Sequence, residues 1–179
     1  FDAKSRLFDQ NLGGGSLLDV GIYPVFLSLL LLGKPESIEA TAIIGPTQVD
    51  ESCGMLLKYP GQRMAVLHSS IVAKTATEAF LTGDKGSIRI NTRWHEPTSL
   101  TLIREDGETQ DFFFDFTSSG YHYEALEVMR CVGEGLHESP MMSHDFSLDL
   151  IELLDTVRVK AGIFYPRFDQ FSKAVRVEG

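Results

Sequence analysis

The chain has 179 residues, with 16 Lys plus Arg against 25 Asp plus Glu, a net charge of −9; a surface this acidic repels phosphate backbones and anionic lipid, which argues against nucleic-acid and membrane partners. With 43% hydrophobic and 23% charged residues, the composition excludes collagen-like, low-complexity and disordered classes, and the length suits one core rather than two. Cys53 and Cys131 lie far apart with no CxxC and no His-rich neighbourhood, so neither a disulfide framework nor a zinc site is expected, and a reducing, cytoplasmic setting fits.

The chain opens Phe1-Asp2-Ala3-Lys4, without an initiator Met or a charged-then-apolar signal pattern, and we expect the natural gene to start further upstream. From Gly13 to Gly33 one helix is predicted, reached through a glycine loop. Ser16-Leu17-Leu18-Asp19 matches a capping box and Gly33 supplies the stop. Pro24 lies inside this helix and removes a backbone donor, which predicts a kink near Asp19 to Tyr23. The apolar stretch Ile22 to Leu32 is shorter than the ~20 residues a bilayer span needs, so it reads as a buried helix.

Between Glu36 and Asp115 the pattern changes to period two. Ile38, Ala40, Ala42 and Ile44 alternate with Glu39, Thr41 and Ile43, and Cys53, Met55, Leu57 and Tyr59 follow, ending at the turn Tyr59-Pro60-Gly61-Gln62. Arg63 to Ala73 returns as the second arm of a hairpin. Asp84-Lys85-Gly86 and Asp106-Gly107 mark further turns, joining Thr77 to Thr82 with Gly86 to Asn91, and Ser99 to Arg104 with Gln110 to Phe116. Short links imply antiparallel neighbours.

Two amphipathic helices close the chain: Tyr123 to Gly133, with Ala125, Met129 and Val132 on one face, and Ser143 to Ala161, with Leu150, Leu154, Val157 and Ala161 on another. The expected fold class is α+β: a largely antiparallel (mixed) open sheet with helices packed on one face. Both faces of Arg63 to Ala73 are largely apolar or small, so the uncovered face is expected to form a homodimer interface.

The dinucleotide fingerprint is absent. Gly13-Gly14-Gly15-Ser16-Leu17-Leu18 lacks the last glycine of G-x-G-x-x-G, and no strand precedes it. No Walker loop, H-E-x-x-H or nucleophile elbow is present. Glu105-Asp106-Gly107-Glu108 reads as a solvated turn rather than a metal site.

The segment Gly13-Gly14-Gly15-Ser16-Leu17-Leu18-Asp19-Val20-Gly21-Ile22-Tyr23-Pro24 closely resembles the G-G-G-x-L-x-D-x-G-x-(H/Y) segment opening the C-terminal domain of the glucose-fructose oxidoreductase, inositol dehydrogenase and MocA family. Asp50-Glu51-Ser52, Gly83 to Ile88, Tyr123-Glu124-Ala125 and Glu138 to Met142 agree with its dihydrodiol and xylose dehydrogenase branch. The resemblance implies residues 1–12 as a linker from an N-terminal Rossmann domain that holds NAD or NADP, and residues 13–179 as an α+β substrate and dimerisation domain.

It also implies catalytic roles for Asp19 and Tyr23, acting on a sugar-like or diol substrate with a lysine from an E-K-P motif of the first domain. That lysine has no counterpart here, so the domain alone is expected to be inactive. Residues 19 and 23 are i and i+4, which places both side chains on one helical face. A phenol titrates at about 10 when unperturbed, so a phenolic base at neutral pH needs a cation beside it, which the lysine would supply. Gly14 and Gly15 are candidates for close approach to the cofactor, and His122 for lining the substrate pocket. The rival expectation is a non-catalytic module of a regulatory family member, which dimerises and binds a small ligand.

Overall fold

A computed structural model describes residues 5–96, 98–116 and 120–169. The chain forms two compact units: one from Phe1–Lys74 together with His144–Gly179, the other from Thr75–Ser143. The length predicts one core; the second unit instead arises as an insertion between the two halves of the first.

In the first unit, short 3-10 turns at Arg6–Phe8 and Gln10–Leu12 lead into the glycine loop. Residues 5–12, expected as a linker, are thus seated: Phe8 is buried, and the Gln10 side-chain amide donates to the carbonyls of Gln48 and Phe164. A π-helical turn, Leu17–Gly21, then precedes α1, Ile22–Leu32. Pro24 explains the predicted irregularity. It cannot donate to the carbonyl four residues back and its ring crowds that turn, so the chain widens just before it. Gly33, at φ 78°, stops α1 where the sequence placed the stop.

Strands β1 (Ser37–Ile44), β2 (Asp50–Tyr59) and β3 (Arg63–Ser70) form an antiparallel sheet in that order. The three-residue turn Pro60-Gly61-Gln62 between β2 and β3 takes positive φ at Gly61 and Gln62, the left-handed backbone that tight hairpin loops use. The register sets Ile38 against Leu57 and Leu57 against Ala65, so the inward face is mainly apolar, with Ser69 of β3 buried on the same side. α3, His144–Lys160, packs on β1 and α1. Leu17, Val25, Leu57, Tyr59 and Val157 are wholly buried where these elements meet.

By length and composition the run Gln10–Leu32 could cross a membrane. Here it is divided among a 3-10 turn, the glycine loop, a π turn and α1, and it lends Leu17, Val25 and Leu29 to the core.

In the second unit β4 (Ala79–Gly83), β5 (Gly86–Ile90), β6 (Leu100–Arg104) and β7 (Thr109–Phe112) form a separate antiparallel sheet, and α2 covers Tyr121–Gly133. The α+β class stands, but the expected single sheet becomes two, and every described strand pairing is antiparallel. The break falls after β3, where residues 71–78 leave the ladder and Thr77 takes φ 55°. The predicted apolar stripe of α2 is not a buried face: Met129 and Val132 are exposed and Cys131 is buried instead.

Leu57 has no exposed surface and pairs across both neighbouring strands. Leu57→Ala is expected to cost about 2–5 kcal/mol, the usual range for emptying a core leucine site; denaturant unfolding measures it.

Candidate functional site

The expected capping box does not form. Ser16 has helical backbone angles and its hydroxyl turns inward, donating to Asp50 Oδ2 at 3.0 Å and lying 3.0 Å from Ser69 Oγ. The backbone N–H of Leu17, first of the π turn, donates to the same Asp50 oxygen at 2.7 Å. A buried carboxylate from β2 therefore does the capping, and a serine from β3 completes the cluster. Asp50 and Ser16 have no exposed surface, and Ser69 is buried.

Asp50 Oδ1 has no hydrogen-bond partner among the described residues. Burial pushes the Asp50 carboxyl above the ordinary carboxylate range, against the opposing effect of the Leu17 and Ser16 bonds. Gly15 explains how the carboxylate fits. At φ 122°, a Cβ there would lie 2.1 Å from Asp50 Oδ1, which only glycine avoids. Tyr165, from beyond α3, donates its hydroxyl to the Gly14 carbonyl at 2.7 Å, and its own acidity is suppressed by burial first and then by the Asp50 charge.

This cluster fixes what the following turn presents. Leu17, Gly21, Val25, Ser28 and Leu29 face the interior, while Asp19 and Tyr23 lie off that stripe. The Asp19 side chain is 25% accessible and Tyr23 is 44% exposed. Both are within reach of a dissolved ligand. Asp19 Oδ1 accepts a hydrogen bond from Arg6 Nη2 at 2.5 Å in an ion pair. Arg6, Asp50, Ser69 and Tyr165 take parts at this site that the sequence does not disclose.

Gly14 and Gly15, expected beside a cofactor, are both buried and face the chain's own atoms. A Cβ on Gly14 would stand 2.6 Å from the carbonyl oxygens of Arg6 and Leu7. The close approach they permit is to residues 6 and 7 and to Asp50.

His122 belongs to the second unit, whereas Asp19 and Tyr23 share one segment of the first. It lies half-buried at the start of α2 with its ring 4.0 Å from that of Tyr123. Tyr123, not His122, borders a cavity of about 410 Å³ that Ile90, Trp94, Leu100, Phe114 and Phe116 also line.

Cys53 and Cys131 are free and buried, and burial pushes the Cys53 thiol up to about 11, which leaves it protonated at neutral pH. Among the described residues no group of three or more His, Cys, Asp or Glu could hold a metal.

Residues 2–89 match the family model of the GFO/IDH/MocA C-terminal domain. The chain is 37% identical over 174 residues to a trans-1,2-dihydrobenzene-1,2-diol dehydrogenase of Danio rerio, covering 92% of this chain and 52% of that protein. To the Homo sapiens enzyme of the same name it is 32% identical over 170 residues, with 90% and 51% covered. The chain thus spans about half the length of the curated relatives it matches.

The fold is similar to that of an aldose-aldose oxidoreductase from Caulobacter crescentus complexed with glycerol, at a TM-score of 0.76 and 19% identity, covering 90% of this chain and 50% of that one. A 3-ketoreductase from Actinomadura kijaniata in complex with TDP-benzene and NADP gives a TM-score of 0.68 at 23% identity, over 81% and 46% of the two chains.

The Asp50 carboxyl holds its proton more tightly folded than unfolded. Its folded form is therefore at full advantage below the ordinary value of 3.8 and loses stability as pH rises through the raised folded value. Asp50→Asn removes this dependence, so the parent should lose stability relative to the variant as pH rises above about 4. Paired denaturant titrations across that range measure the difference.

Proposed function

The chain belongs, through residues 2–89, to the GFO/IDH/MocA C-terminal domain family, and from that premise we propose that it is the substrate-binding and dimerisation half of an NAD(P)-dependent oxidoreductase acting on a diol or sugar-like substrate. The observation that carries this reading is the accessible Asp19 and Tyr23, presented by one π-to-α segment whose buried side is locked to the core.

Among the described residues no dinucleotide cradle forms: every strand pairing is antiparallel, and an anion at the glycine loop would meet the Asp50 carboxylate. NAD or NADP is therefore assigned to a separate Rossmann domain. When bound, the nicotinamide supplies hydride-transfer chemistry. Tyr23 moves a proton to or from the substrate oxygen through its hydroxyl. Asp19 orients that oxygen or the ammonium group that assists the phenol. The diol class is supported by the dihydrodiol dehydrogenase relatives, whose substrate their name states.

The outer face of the three-stranded sheet is the proposed dimer surface. Ile43, Leu56, Met64 and Val66 are all exposed there, an apolar patch of the kind that marks association.

In the intact oxidoreductase, Tyr23→Phe should lower kcat by about 10²–10⁴, the usual contribution of a positioned proton donor or acceptor. Nicotinamide absorbance with a diol substrate follows it, and a near-parental kcat sinks the proposed role. An intact protein that binds ligand but never turns over any nicotinamide would favour the regulatory alternative. Val66→Asp should convert a dimer to monomers in light scattering; an unchanged mass removes the sheet interface.

A further inference from the structure

The geometry points to Arg6 as a positioning residue for Asp19, delivered to it by the glycine loop. This deepens the proposed function and rests on it.

Arg6 lies thirteen residues before Asp19, on no shared helix, so their meeting needs a device. The structure provides one. The Gly15 N–H donates to the Leu7 carbonyl and the Gly14 N–H to the Asp9 carbonyl, each at 2.9 Å. A Cβ on Gly14 would strike the carbonyls of Arg6 and Leu7, so the residue there must be glycine for the 3-10 turn to lie this close. Phe8 in the core and Gln10 on two carbonyls hold the far side of the turn. The backbone at Arg6 is fixed by these contacts, while its guanidinium stays 59% accessible and donates to Asp19 Oδ1.

A carboxylate on an exposed turn otherwise rotates freely about its side-chain torsions. Engaging Oδ1 from a fixed arginine orients Oδ2, which has no hydrogen-bond partner among the described residues, as the acceptor for a substrate hydroxyl or a lysine. The isolated ion pair adds little stability in water. Its effect is expected in turnover.

The test uses the intact oxidoreductase with Arg6→Ala, Arg6→Lys and Asp19→Asn. Arg6→Ala should lower kcat on the order of ten- to a hundredfold with a smaller change in KM and an unchanged thermal midpoint. Arg6→Lys, which keeps a cation but loses the planar fork, should restore part of the loss. In an Asp19→Asn background, Arg6→Ala should have little further effect, because the residue acts through that carboxylate. If Asp19→Asn abolishes turnover while Arg6→Ala leaves kcat within about twofold, Arg6 has no positioning role and the proposed function stands. If Asp19→Asn itself turns over at the parental rate, the oxidoreductase reading fails first.

Discussion

A buried carboxylate with one satisfied oxygen organises the first unit. Asp50 sits at the start of β2 and accepts from the first N–H of the π turn and from the Ser16 hydroxyl, which in turn meets Ser69 on β3. Tyr165 closes the same cluster through Gly14. Four segments distant in sequence thus converge on one group. Burying a charge is costly unless it is bonded, and Asp50 offsets that cost only in part, since Oδ1 has no partner among the described residues. Much of the cost is recovered as definition: loop, helix and sheet have one mutual arrangement in which those donors meet that oxygen.

The glycines follow from the same constraint. Gly15 is glycine because Asp50 occupies the space of its side chain, and Gly14 because the backbone at residues 6 and 7 does. A glycine run of this kind suggests ligand contact when read in one dimension. In the folded chain it is an internal joint, and its product is the presentation of Asp19 and Tyr23 outward with Arg6 against the carboxylate. Proposed chemistry and fold stability are divided along one segment: the inward side of residues 17–29 makes the core, and the outward side faces solvent.

The elements of the fold were largely legible because each has a local cause. Period-two alternation marked β1 to β3, the Pro-Gly and Asp-Gly turns marked the hairpins, and Gly33 ended α1 where expected. The irregularity before Pro24 was readable because proline's missing donor acts within one turn. The capping box does not form because Ser16 has two possible partners, an N–H three residues on and a carboxylate that arrives from residue 50, and the second one wins. The division into two sheets was hidden because nothing in the alternation of strands tells which edges meet. The α2 stripe failed for a related reason, as amphipathicity states that a face is apolar and not what covers it.

For the candidate site, the sequence by itself determined that a carboxylate and a phenol stand four residues apart on one helical segment behind a run of glycines, since this spacing is a local property of the backbone. Only the tertiary structure decided what those glycines are for, that Asp50 rather than Ser16 caps the turn, and that Arg6 is the cation at Asp19. These depend on groups 13 to 151 positions apart in the chain being brought within hydrogen-bond distance. Contacts over such separations leave no periodicity to read; they arise when the core closes and buried donors and acceptors must find one another.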